Sequence, residues 1–156
     1  MPLTIEEHLD NIDRHIGLVR DGTVLLGKRF IKRDEKEFGM ALIARGFRHD
    51  NSKFAGIEFD YLHAGSDVPK DMLIIAVRQH CLTNDHHPEF WGGIDKMPPL
   101  CLAEMVCDWY ARSQEFGTSL RDWIEKEAVD KYKISPMRKA EIDQYVNMLL
   151  VDHFVR

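Results

Sequence analysis

Histidine and aspartate recur along this chain as His15, then His49-Asp50, His80, His86-His87 and finally Asp108. Imidazole and carboxylate are hard-to-intermediate nitrogen and oxygen ligands. With no thiolate among them they suit Mn, Fe, Co, Ni or Zn in a site that keeps positions open for chemistry, whereas a closed structural zinc site would draw on cysteine. The three cysteines, Cys81, Cys101 and Cys107, contain no C-x-x-C pair. That argues against a zinc knuckle and a disulfide framework alike, and fits a reducing cytoplasm. The first expectation is therefore an open site for one or two divalent transition-metal ions, used for catalysis.

Such a site needs elements that turn distant side chains toward one point. Thr4-Ile5-Glu6-Glu7 reads as a capping box, and Ile5, Leu9, Ile12, Ile16 and Val19 follow at helical spacing, so His15 falls at the border of the buried stripe. A second helix is expected over 36–48, ending at His49-Asp50, and a short one around 57–62. The stretch from Gly65 to Pro69 reads as a loop. Over 70–82, Leu73, Ala76, Val77 and His80 share a face, which aims His80 inward. The apolar run from Ile74 to Val77 is the best strand candidate, but its flanks are helical.

Residues 84–99 hold Pro88, Gly92, Gly93, Pro98 and Pro99 and read as irregular, a setting in which functional groups concentrate. From Leu100 to Phe116 a helical pattern returns, with Cys101, Glu104, Met105 and Asp108 as angular neighbours. Ser119 begins a short capped helix. Ser135-Pro136 caps a final one whose buried stripe is Ile142, Tyr145, Val146 and Leu149. The expected fold class is all-α, a compact bundle of about six or seven helices forming a single domain over 1–156.

At 156 residues, 44% hydrophobic and 30% charged, the chain has the composition of an ordinary globular protein. Its apolar runs are far shorter than the ~20 residues of a membrane span, and the N-terminus carries no basic-then-apolar signal pattern. A formal charge of −5 with no long basic run argues against duplex nucleic acid as a partner. Lys28, Arg29, Lys32 and Arg33 read as a solvated helix face.

The ordered series of ligands on successive helices resembles the HD-domain superfamily of metal-dependent phosphohydrolases, over roughly residues 8–116. His49-Asp50-Asn51-Ser52-Lys53 is similar to the HDxGK form, with Ser52 in place of the glycine. His86-His87-Pro88-Glu89 and the following Gly92-Gly93 resemble the double-histidine stretch of HD-GYP phosphodiesterases. The segment from Glu104 to Ala111 looks like the helix bearing their last aspartate. No GYP tripeptide follows, so cyclic-dinucleotide hydrolysis is not implied.

The resemblance implies that His15, His49, Asp50 and Asp108 hold one metal, that Asp50 bridges to a second, and that His80 with His86 or His87 holds the latter. It implies hydrolysis of a small phosphorylated substrate, commonly a nucleotide, by a metal-activated water. Two other classes stay open: a mixed-valent di-iron oxygenase of the same superfamily, which also carries a lysine after the His-Asp pair, and a non-catalytic, metal-stabilised binding module. A homo-oligomer is compatible with any of them.

Lys53 is expected to face Asp50's side if the helix continues, where its ammonium would neutralise a phosphate oxygen. Glu104, four residues before Asp108, would orient a ligand or accept a proton. Trp91 reads either as a wall of the substrate pocket or as a core anchor. Asp108 has a competing reading as an i, i+4 partner of Arg112. Glu58 reads as solvated surface, and His8, His63 and His153 receive no role.

Overall fold

A computed structural model describes residues 3–62 and 67–151, and no strand occurs among them. His63, His153 and the Gly65 and Ser66 part of the expected loop lie outside the described residues. The fold is all-α, as the helical periodicity requires.

Helix α1 (Ile5–Lys32) starts at the capping box. The Thr4 hydroxyl accepts from the Glu7 amide at 3.1 Å, and the Glu7 carboxylate accepts from the Thr4 amide at 2.8 Å. Its buried face continues beyond Val19 through Thr23, Leu26 and Phe30, so one long helix results. A three-residue turn with Asp34 in the left-handed region (φ 68°) reverses the chain into α2 (Lys36–Arg48). The two backbones touch where side chains are smallest. A Cβ added to Gly39 would stand 2.4 Å from the Gly27 carbonyl oxygen, and one on Gly46 would stand 1.8 Å from the Thr23 hydroxyl. This close approach sets the His15 and His49 rings 5.7 Å apart.

Asp50 breaks the helix. It is a non-glycine residue at φ 57°, a conformation that aspartate tolerates better than most side chains, and a 3₁₀ turn over Asn51–Phe54 follows. The helix expected to carry Lys53 onto Asp50's side does not continue. The 3₁₀ turn does the same work, because its three residues per turn stack i on i+3.

Beyond it lie α3 (Gly56–Tyr61) and α4 (Lys70–Thr83). Ala76 and His80 of α4 are buried as its stripe requires, but Val77 is 42% exposed, as are Ile74, Ile75 and Leu82 to similar degrees. Among the described residues the helix packs mainly against α3 and a short neighbour, so a narrow strip of its surface is covered. The segment read as irregular contains that neighbour, α5 (Pro88–Trp91), and a 3₁₀ turn over Ile94–Lys96. Proline at a first helical position and Gly92 at φ 74° punctuate these short helices rather than abolish them.

Helix α6 (Pro99–Phe116) is the axis of the molecule: every residue from Cys101 to Asp108 is buried. It packs on α1, α2 and the last helix. After it, α7 (Leu120–Trp123) passes through a π-helical turn, Ile124–Ala128, into α8 (Val129–Tyr132). Trp109 of α6 meets Trp123 edge-on at 5.1 Å and stacks on Tyr132 at 5.8 Å. The final helix α9 (Pro136–Leu150) is capped by Ser135 and buries Ile142, Tyr145, Val146 and Leu149. Arg29 of α1 donates to the Met148 and Val151 carbonyls at its C-terminal end, satisfying oxygens that a helix end leaves orphaned.

Candidate metal centre

The helices bring His15 (α1), His49 and Asp50 (end of α2), His80 (α4), His86 and His87 (before α5) and Asp108 (α6) to one buried point. Asp50 is at its middle. One carboxylate oxygen, Oδ2, lies 3.5 Å from His15 Nε2 and 3.4 Å from His49 Nε2. The other, Oδ1, lies 3.2 Å from both His80 Nε2 and His86 Nε2. Asp108 faces the same group, 3.1 Å from His15 Nε2, 3.8 Å from His49 Nε2 and 3.7 Å from His86 Nε2. His87 belongs to the half around Asp50, His80 and His86, whose ligand atoms all lie within 4.8 Å of one another.

Among the described residues, the Nε2 atoms of His15, His49, His86 and His87, Asp50 Oδ1 and Asp108 Oδ1 are buried without a hydrogen-bond partner. Buried polar atoms are almost always satisfied, and so many orphans pointing at one another need a common partner. Ligands ~2.1 Å from a shared ion stand ~3.0–3.5 Å apart at octahedral to tetrahedral angles, which is the spacing found around Asp50. These buried His and Asp groups can hold a metal ion.

The far nitrogens are tied down by carboxylates. His15 Nδ1 donates to Glu115 at 2.7 Å, His49 Nδ1 to Glu104 at 2.9 Å, and His80 Nδ1 to Glu58 at 2.5 Å; His86 Nδ1 faces Glu104 at 3.4 Å. An ionised carboxylate only accepts, so each paired Nδ1 carries a proton, and Nε2 is the nitrogen left to offer a lone pair to the centre once it is deprotonated. Glu104 is held in turn by Arg45, which also grips Asp85. Ser52 and Asn84 extend the Glu58–His80 network: the Ser52 hydroxyl donates to Glu58 at 2.8 Å and the Asn84 amide donates to Ser52 at 3.0 Å.

Charge confirms the crowding. Burial disfavours an ionised His49, but the Asp50 carboxylate, aided by Glu104 and Asp108, pushes its pKa up to about 10. Burial likewise opposes ionisation of Asp50 and Asp108, yet the surrounding imidazoles hold both carboxyls well below their usual range. His87, half-buried beside His86, is pushed down to about 3 by loss of hydration and then by the neighbouring imidazole. Protons thus balance the carboxylates where a cation would otherwise do so.

Two cavities reach the cluster. One of about 460 Å³ is lined by His15, Lys53, Arg14, Arg112, Glu115 and Phe116 among others. The second, of about 300 Å³, is lined by Arg48, His49, Asp50, Asn84 and His86 among others. Lys53 is buried with its ammonium 2.8 Å from Asp50 Oδ2, at the inner end of the first cavity. Trp91 lies elsewhere: its indole N–H donates to the Asp85 carbonyl at 2.8 Å and its ring packs on the core. It lines neither of these two cavities.

Asp108 turns to His15 while Arg112 pairs with Glu115 at 2.7 Å, so the i, i+4 pairing considered for Asp108 and Arg112 does not form. Glu58, read from sequence as solvated, is 2% exposed and bonds His80; a short helix gives too little periodicity to betray it. Glu115 is the residue that sequence reasoning missed. Its signal was present, since Glu104, Asp108 and Glu115 are spaced by four and seven on α6 and so share a face. His8 is a satisfied interior side chain, its Nε2 2.9 Å from the Phe59 carbonyl.

Residues 4–148 match the protein family described as a family of unknown function, DUF5662. The chain belongs to that family. No curated protein and no solved structure matches it. No helix among the described residues is long and apolar enough to cross a membrane.

Proposed function

We propose that the chain is a metal-dependent phosphohydrolase of HD type that acts on a small phosphorylated substrate, a (deoxy)nucleotide being the class the HD resemblance favours. The observation that carries this reading is the ring of buried, unpartnered imidazole and carboxylate atoms opening onto a cavity that holds Lys53, Arg14 and Arg112. A divalent Mn, Fe, Co, Ni or Zn ion, or a pair of them, would be held by His15, His49, Asp50, His80, His86, His87 and Asp108. Bound there, it would lower the pKa of a water and polarise a phosphoryl oxygen.

The rest falls to the chain's own side chains. Asp50 presents separate oxygens to two pairs of imidazoles, which suits a carboxylate shared between two ions. Lys53, at the inner end of the cleft, and the guanidiniums of Arg14 and Arg112, nearer its rim, offer positive charge to phosphate oxygens. Glu104 stands behind His49 and bonds Arg45 on its other side, which suits it to orienting a ligand. Trp91, braced against Asp85, serves the core.

Elemental analysis of untreated protein, followed by a phosphate-release screen across nucleotides with Mn or Co under anaerobic conditions, tests the proposal. An Asp50→Ala protein that stays fully active would end it. The Lys53–Asp50 contact supports a second reading, a di-iron oxygenase, because that class also carries a lysine after its His-Asp pair. Stoichiometric iron with oxygen consumption and no phosphate release would favour it.

A further inference from the structure

The seven inner ligands leave one imidazole with a second set of neighbours. His87 belongs both to the group around Asp50, His80 and His86 and to another formed with Cys81 and Glu89, in which one ligand atom of each residue lies within 4.8 Å of the others. We propose that Cys81, His87 and Glu89 form an outer cation site, joined to the inner cluster at His87, that takes a borderline-soft divalent ion such as Zn²⁺ or Co²⁺.

The helices dictate the arrangement. Cys81 follows His80 on α4, and one residue turns a helix by about 100°, so the thiol leaves the helix on a different side from the inner ligands. His87 is the residue just before α5 and Glu89 sits in that helix's first turn, within reach because α4 and α5 pack together. His87 is wedged between His86 at 4.3 Å and His80 at 4.9 Å. Its Nε2 is buried without a hydrogen-bond partner, and because a neutral imidazole has a single lone pair, His87 serves either the outer ion or the inner group, where His80, His86 and Asp50 remain. Cys81 is a free thiol, and with Glu89 and Arg78 it lines a mostly apolar surface cavity of about 520 Å³, so the thiol and carboxylate meet solvent outside the Lys53 cleft.

The donor set chooses the ion. Thiolate, imidazole and carboxylate together suit Zn²⁺ or Co²⁺ with a fourth position left open, whereas Mg²⁺ and Ca²⁺ favour all-oxygen shells. The inner ligands are imidazole and carboxylate only, so sulfur distinguishes the two sites. Cys101 and Cys107 are buried and belong to none of the potential ligand groups among the described residues.

Co²⁺ titrated into the metal-free, reduced full-length protein tests this, because only a thiolate ligand produces a sulfur-to-cobalt charge-transfer absorption. Wild type should develop that absorption, Cys81→Ser should lose it, and Glu89→Gln should shift it to more than about tenfold higher Co²⁺, the lower bound of what losing even a supporting partner costs. Both substitutions are near-isosteric and lie at the surface cavity. Cys81→Ser should keep the cobalt bound by the inner nitrogen and oxygen ligands. Absence of that inner cobalt in Cys81→Ser would tell against the inner centre alone. A wild-type protein that saturates with Co²⁺ without charge-transfer absorption, or an undiminished absorption in Cys81→Ser, would overturn the outer site.

Discussion

Replacing Glu104 with alanine removes one carboxylate that serves three partners. Its Oε1 accepts from His49 Nδ1 at 2.9 Å and faces His86 Nδ1 at 3.4 Å, while Oε2 holds Arg45. It is 3% exposed, so its partners lose a buried acceptor. Loss of a carboxylate behind a metal-binding imidazole typically weakens metal affinity ~10–100-fold, or ~1.4–2.7 kcal/mol, and support of two imidazoles puts Glu104→Ala toward the upper end. The metal-free fold suffers separately. Breaking a buried ion pair costs ~3–5 kcal/mol, and because Arg45 retains Asp85 the lower figure applies. Glu104→Gln keeps the shape and one accepting oxygen, so its affinity should fall by about tenfold. Competition for Co²⁺ against a chromophoric chelator gives the affinities, and urea unfolding in chelator gives the stabilities. A folded Glu104→Ala protein with wild-type affinity would refute the claim that Glu104 sets the imidazoles.

Gly39→Ala should destabilise the chain, since its Cβ would stand 2.4 Å from the Gly27 carbonyl oxygen and 2.7 Å from Ile31 Cγ1. Overpacking of ~1–3 kcal/mol is offset by ~1 kcal/mol of helix propensity, and an unchanged or raised urea midpoint would contradict the close α1–α2 contact. The metal-free protein should be most stable near about pH 6 to 7, because the lowered value of His87, about 3 in the fold, removes stability progressively as pH falls below its unfolded value of about 6.5. The raised pKa of His49, about 10 in the fold, contributes stability that is fully present below its unfolded value and lost as pH rises through about 10. The lowered values of Asp50 and Asp108 contribute stability that is present above their unfolded values and lost as pH falls. Metal must displace the His49 proton, so the melting-temperature gain from saturating metal should grow from pH 6 toward pH 9, and a gain that shrinks over that range would count against His49 as a ligand. Burial pushes the Cys107 thiol up and, aided by nearby carboxylates, lifts Cys81 and Cys101 to about 11. A thiol reagent at pH 8 should therefore react slowly with native metal-free protein and promptly with three thiols in denaturant, and rapid native labelling would show the cysteine environments to be open.

Local chemistry was enough to locate the longer helices. The Thr4–Glu7 box, the Ser119 and Ser135 caps and the apolar periodicities of α1, α2, α6 and α9 are short-range features, and the chain obeys each of them. The residue types at 15, 49, 50, 80, 86, 87 and 108 likewise fixed what chemistry they could perform if gathered, since imidazole and carboxylate have the same donor properties in any fold. Periodicity alone left open how much of a helix is covered: Val77 lies on the stripe of α4 yet is exposed, because burial depends on what packs opposite, and among the described residues α4 packs mainly against α3 and α5.

Tertiary structure decided the convergence. Asp50 and Asp108 share imidazoles only because Gly39 and Gly46 let α2 lie against α1, and the left-handed turn at Asp50 then sends Lys53 back to its carboxylate. Glu58 and Glu115 became partners of His80 and His15 in the same way. A carboxylate's place behind a metal ligand is set by another helix's position, information that is nonlocal and that no window of sequence contains.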